Sequence, residues 1–206
     1  MHRSTLLAVA AALALATWAP PGRASSSGDE LVRQARTHEA AHDDDVAVRR
    51  YMEALEIDPV NEDAWLGLGA LRMRIGEAAE AERVFDAALQ RVPTLHRAIQ
   101  GRAHARWAQG RHGDAEGDLE AYTLLEHDAD ALRELSGWYG TDGRTPAQLA
   151  VWRRLLTMAS DDAGQREARR MVRALVILVD KADPASSPVE PDAARRAMAA
   201  VARRGG

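Results

Sequence analysis

The 206-residue chain has no cysteine and a single lysine, Lys181. The first absence excludes disulfides, thiolate metal sites, a cysteine nucleophile and the lipidated cysteine of a bacterial lipoprotein. The second leaves arginine as almost the only cation; with the alanine excess it reads as the bias of a GC-rich bacterial genome, which bears on source and not on function. No Gly-rich phosphate loop follows a strand pattern, no Gly-x-Ser-x-Gly occurs, and no pair of carboxylates stands apart from ordinary helix surface. The longest apolar run, residues 6–18, is about 13 residues, short of the roughly 20 needed to span a bilayer.

That run has the layout of an export signal. Arg3 precedes it, Pro20 and Pro21 break it, and Gly22-Arg23-Ala24 offers small residues at −3 and −1, so residues 1–24 read as a signal peptide cut after Ala24, or after Ala19. The mature chain then carries a formal charge of −6 and no membrane-spanning segment. Such a balance argues against nucleic acid and against broad attraction to anionic membranes. The expected destination is the periplasm, with release from the cell second and an uncleaved N-terminal tether as the alternative.

What the chain does have is a period. Leu31, Ala35, Ala47, Tyr51, Ala54 and Pro59 recur 34 residues on as Trp65, Gly69, Ala81, Phe85, Ala88 and Pro93. They recur again as Ile99, Ala103, Ala115, Leu119 and Tyr122, with His127 in place of the proline. Within one copy, Trp65, Leu68, Gly69 and Arg72 share one face of a first helix that ends at Gly76. Ala81, Phe85, Ala88 and Leu89 share a face of a second helix, closed by Pro93. A fixed period of this length is that of a helix–turn–helix array, whose units bury their faces only by stacking.

The spacing predicts units at 28–61, 62–95 and 96–129, and a degenerate fourth at 130–160. The fourth starts in frame, with Gly137 taking the place of Ala103, and slips at a loop over 140–144 that reads about one residue long. Thr145, Pro146 and Gln148 read as the start of its second helix, in capping-box form. A capping helix over 162–180, started by Asp161 or Asp162, should turn Met171, Ala174, Leu175 and Leu178 inward. Residues 183–191 read as a proline-rich linker within a 183–206 tail, and 192–204 as a short basic helix carrying Arg195, Arg196, Arg203 and Arg204, either a solvated, frayed tail or a contact to an acidic surface.

These residues resemble the tetratricopeptide repeat (TPR), and the second unit matches best, departing only where Arg72 replaces a tyrosine. Arg102 in the third unit replaces the usual leucine and suggests looser packing there. The resemblance implies an all-α fold, a right-handed α-solenoid of stacked helix–turn–helix repeats over 28–182 with a C-terminal capping helix. It also implies a non-catalytic protein–protein interaction scaffold whose concave groove is lined by the first helix of each repeat. The implied groove residues are Asp29, Val32, Arg36 and Glu39, then Asp63, Leu66, Ala70 and Met73, then Arg97, Gln100, His104 and Trp107. Trp138 joins them if the fourth unit stays in frame; the alternative is that Trp107 and Trp138 are partly inter-repeat core. The chaperone-tail clamp of some family members does not carry over, since Val32, Arg36, Gly67, Arg97 and Gly101 stand at its positions and only Arg97 has suitable charge. The expected partner is a protein or peptide of the envelope, and no cofactor is implied.

One motif proposes chemistry. His38-Glu39-Ala40-Ala41-His42 is a literal H-E-x-x-H, the pattern of two zinc ligands beside a general base on one helical face. Against it, His42 occupies the turn position of Gly76 and Gly110, and Asp45 and Val48 stand where a third-ligand motif would need glycine and histidine. A small zinc-dependent hydrolase is therefore the alternative function, with His38 and His42 as weak metal candidates. His96, His104 and His112 read as isolated solvated histidines.

Overall fold

The computed structural model describes residues 27–182; the leader expected at 1–24 and the linker and tail helix expected within 183–206 lie outside the described residues. Those described form nine helices and no strand: α1 (Ser27–Ala40), α2 (Asp44–Ile57), α3 (Glu62–Arg74), α4 (Ala78–Arg91), α5 (His96–Ala108), α6 (His112–Glu126), α7 (Ala129–Thr141), α8 (Thr145–Met158) and α9 (Asp162–Ala182). Each helix packs on the next, and the core runs the length of the array in three abutting apolar clusters. The turns use the residues the period singled out. Gly76 and Gly110 take positive φ (83° and 76°), which glycine adopts without steric cost. Asn61 accepts the Ala64 amide at 2.9 Å and Asp128 accepts two first-turn amides, so both cap the helices they precede.

The helices are held close by aromatic rings lying on glycine. The Phe85 ring covers Gly69 of its own repeat and Gly101 of the next, and a Cβ at either glycine would collide with it. Tyr51 covers Gly67 in the same way. Both rings are almost wholly buried, at 3 % and 1 % exposure. Accordingly α1 approaches α3, and α3 approaches α5, to Cα separations within 8 Å, whereas α5 and α7 do not come so near.

Beyond α5 the packing changes character. Arg102, expected to loosen its repeat, instead ties three helices together. Its Nε and Nη2 donate to Asp118 on α6 at 2.8 Å each, and its Nη1 donates to Asp86 on α4 at 2.7 Å. Arg106 donates to Asp118 and to Glu82, and Arg111 and Gln109 also donate to Glu82. Burial acts to raise the Glu82 pKa, but these hydrogen bonds outweigh it and hold the carboxyl down at about 2.

The fourth repeat is displaced by one residue, at a different place from the one expected. Helices α7 and α8 start 33 residues after α5 and α6, and the α7–α8 turn keeps the length of the α5–α6 turn. The slip lies between α6 and α7, where a left-handed His127 (φ 52°) makes the connection shorter than that between α4 and α5. Ser136, not Gly137, therefore takes the buried place of Ala103. Gln148 donates to the Ser136 carbonyl on α7 at 3.1 Å instead of closing a capping box, and Arg144, not Thr145, holds the N-cap position. On α9, Asp161 caps as expected, accepting the Gly164 amide at 2.6 Å. The inward face is Ala168, Met171, Val172, Leu175, Val176 and Val179. Leu178 is 53 % exposed and Ala174 also faces outward, so two of the four residues expected inside are not.

The Arg102 clasp yields a paired test. Breaking a buried ion pair from one side strands its partner, so Arg102→Ala should destabilise the chain by about 3 kcal/mol, read by urea denaturation. Replacing the whole trio with residues of the equivalent first-junction positions (Asp86→Met, Arg102→Leu, Asp118→Val) should leave stability within about 1 kcal/mol of wild type or raise it.

Candidate functional site

The odd-numbered helices present a common face, and the implied groove residues lie along it in three different states. At the N-terminal end, Arg36 donates to Asp63 Oδ1 at 2.9 Å across α1 and α3, and Asn61 donates to Asp29 at 3.1 Å. Val32 is buried in the core of the first repeat and presents nothing to solvent. In the middle, Leu66 and Leu95 floor an open hollow of about 310 Å³ whose rim holds Asp29, Asn61, Glu62, Asp63 and Arg97. Ala70 is exposed beside it, Met73 is half-buried against the Phe85 cluster, and Gln100 is half-buried. This stretch joins apolar contact surface to charges of both signs.

At the far end the aromatics pack on one another. Trp107 is sandwiched between Trp138 (4.3 Å between ring centroids, 12° between planes) and His112 (4.0 Å, 15°). His104 meets Trp138 edge-on at 6.0 Å, and its Nε2 stands 2.9 Å from Glu134 Oε1, near enough for an ion pair but out of line for a hydrogen bond. Because of the one-residue slip, Trp138 occupies the register of the inward-facing Ala105, which accounts for its 8 % exposure. The structure thus places Trp138 in the inter-repeat core, with only the partly exposed edge of Trp107 left to the face. His104 and His112, expected to be isolated, both join this stack, and His96 pairs with Glu126 at 2.6 Å. The core role of the two tryptophans was one of the alternatives; the part of the histidines and the Arg102 clasp were not anticipated. Asp86, Arg102 and Asp118 stand 16 residues apart in sequence, and placing them on the repeat frame would have put all three at one junction.

Of the H-E-x-x-H residues, His38 and Glu39 have polar partners on neighbouring segments, while His42 is exposed. Helix α1 ends at Ala40, and His42 lies beyond it in the left-handed conformation with φ 61°, filling the turn position that Gly76 and Gly110 fill elsewhere. It is therefore off the helical face that holds His38. Glu39 accepts the Tyr51 hydroxyl at 2.6 Å, and Arg74 Nη2 lies 3.5 Å from its other oxygen. Burial and the adjoining Glu39 carboxylate push the Tyr51 pKa up. His38 Nδ1 lies 3.5 Å from Asp43. Among the described residues no three histidine, aspartate or glutamate side chains converge as a metal-ligand set.

A non-glycine residue in the left-handed region is strained by about 1 kcal/mol. His42→Gly should therefore raise the unfolding free energy by about that amount in denaturant melts. A second zinc ligand at this position would instead make the substitution lower the melting temperature measured with added zinc.

No family model and no curated protein matches this sequence. Solved structures do match in fold. The chain superimposes on MamA with a TM-score of 0.58 at 19 % identity, over 80 % of this chain and 98 % of that one. It superimposes on YrrB, described as a TPR protein with an unusual peptide-binding site, with a TM-score of 0.57 at 15 % identity, over 87 % and 88 % of the two chains. The first TPR of Spaghetti (RPAP3), bound to an HSP90 peptide, gives 0.52 at 21 % identity, over 56 % of this chain and 93 % of that one. Repeat register, helix packing and these likenesses agree that the described residues build a TPR-type α-solenoid.

Proposed function

We propose that the chain is a non-catalytic interaction scaffold that binds a protein or peptide segment along the face made by α1, α3, α5 and α7. The observation that carries this reading is the open hollow on that face, with an apolar floor at Leu66 and Leu95 and charges of both signs on its rim. Leu66, Ala70 and Met73 supply an adaptable contact surface, and Arg36, Arg97, Asp63 and Gln100 supply polar contacts. Two proteins of the same fold, YrrB and the RPAP3 domain, are described as peptide-binding or peptide-bound, which supports the class of ligand but not its sequence. The engagement of Glu39 by Tyr51 and the turn position of His42 favour this reading over a zinc hydrolase.

We further propose that the protein is exported and works in the bacterial envelope, in the periplasm. The basic start, short apolar run and small residues before position 25 support export. Among the described residues no helix is long and apolar enough to cross a membrane.

Two measurements check these readings. Ala70 is exposed, so Ala70→Arg should leave the helical circular-dichroism spectrum unchanged. It should cut recovery of a specific partner from host envelope extract at least about tenfold, the weight of one binding hot spot. Equal recovery by both proteins would move the contact off this face. Mass spectrometry of the protein isolated from its host should find a chain beginning at Ser25; an intact Met1 would replace export with tethering or retention.

A further inference from the structure

The opposite side of the array, where α2, α4, α6 and α8 run, carries a second feature that peptide binding in the groove does not use. At each junction between repeats, three positions meet: one on a second helix, one on the next first helix, and one on the second helix after that. At the second junction they are Asp86, Arg102 and Asp118, sealed by the ion-pair clasp. At the third they are Glu120, Leu135 and Val151, closed by burial of the two apolar residues and by the Tyr139 hydroxyl on Glu120. At the first they are Met52, Leu68 and Val84; Leu68 is buried and Val84 partly so, but no side chain covers Met52. Together with Leu55 and Trp65 they line an open apolar slot of about 340 Å³ between α2 and α4. Met52 is 49 % exposed, and the neighbouring Ile57 and Val60 are 54 % and 58 % exposed.

The other concentration of exposed large apolar side chains lies at the far end of the molecule. Ile177 and Leu178 on α9 are 55 % and 53 % exposed. With Ala174 they form one helical face, flanked by Arg170 and Lys181 at i−4 and i+7 of Ala174 and by Arg173 beside them. The slot is lined by two acidic and two basic side chains, Glu56, Glu80, Arg72 and Arg83, while the helices α2 and α9 differ in sign. Helix α2 carries four acidic and two basic residues, and α9 carries five basic and three acidic ones. On the slot rim Arg72 pairs with Glu77 and Arg83 with Glu80, which leaves Glu56 without an ion-pair partner among the described residues. Arg170 and Arg173 have none either.

We propose that the slot of one molecule receives the Ala174/Ile177/Leu178 face of α9 from a second copy, with Arg170 and Arg173 of the incoming helix meeting Glu56 on the rim. An apolar ridge with a basic flank thus meets an apolar slot whose one rim charge without an ion-pair partner among the described residues, Glu56, is acidic. The two surfaces differ, so the contact is heterologous: each molecule keeps one unused slot and one unused helix, and the assembly extends head to tail. The groove of α1, α3, α5 and α7 stays open along such a chain of copies, which would display one peptide site per molecule. The proposal is independent of what, if anything, occupies that groove.

The test uses protein purified from its host with whatever N-terminus processing leaves, in sedimentation from about 10 µM to about 1 mM, the range over which a weak interface becomes populated. Wild type should grow in mass with concentration beyond the dimer. Met52→Glu and Leu178→Glu, both at exposed positions, should each stay monomeric with unchanged melting temperatures. Mixed in equal amounts, the two variants should form a dimer and nothing larger, because one retains an intact helix and the other an intact slot. A wild type that stays monomeric at the highest concentration would overturn the proposal. So would self-association that survives either variant, or a mixture of the two that stays monomeric. Were Leu178 shielded from solvent in a wild-type monomer, the chain's own residues 183–206 would be the cover, and the proposal would again fall.

Discussion

Everything in this array depends on how closely one first helix can approach the next. That distance is set where an aromatic ring lies on a glycine, Tyr51 on Gly67 and Phe85 on both Gly69 and Gly101. Each ring fills the space that a side chain would otherwise hold open, and close packing of this kind is felt at the level of single methylenes. The first three odd-numbered helices are drawn together by it, and the hollow above Leu66 and Leu95 forms where their N-terminal ends line up. The candidate binding face is therefore a consequence of small residues on its inner side as much as of the residues it displays.

The device stops at α5, and the chain changes its means of cohesion there. No aromatic-on-glycine contact of this kind joins α5 to α7; the stacked Trp107 and Trp138 stand between them, with His104 and His112 at the margins. On the outer side the Arg102 clasp takes over from apolar contact. The large rings hold α5 and α7 in register but keep them farther apart than glycine keeps α3 and α5. The array accordingly has a tight N-terminal half bearing the open hollow and a wider C-terminal half whose aromatics are largely consumed by internal packing.

Much of this was legible in the sequence, and the exceptions have physical reasons. The period and the turn glycines could be read because each recurs at the same offset, and recurrence separates signal from composition. The H-E-x-x-H motif could be discounted because the same offset put His42 on the turn. The fourth repeat was misplaced because a one-residue change in a connection leaves no local mark. Its location emerges from the helix starts, from the left-handed His127 and from burial, which shows Ser136 where Ala103 should recur and turns Trp138 inward. The inward face of α9 was misjudged because nearly every residue from Met171 to Val179 is apolar, so periodicity does not choose a face. Arg102 was read alone and so looked like a defect; its meaning depends on Asp86 and Asp118, which lie on other helices.

The central claim is that the face of α1, α3, α5 and α7 is the occupied surface of this protein where it works. The lack of native cysteine allows a direct measurement. Single cysteines would be placed at Ala70 on that face and at Gln90, exposed on α4, and labelled with a membrane-impermeant maleimide, first in cells with a permeabilised outer membrane and then after purification. The account predicts that the cysteine at 70 reacts slowly in the envelope and quickly once purified, while that at 90 reacts alike in both. Equal, fast labelling at both positions in the envelope would contradict it.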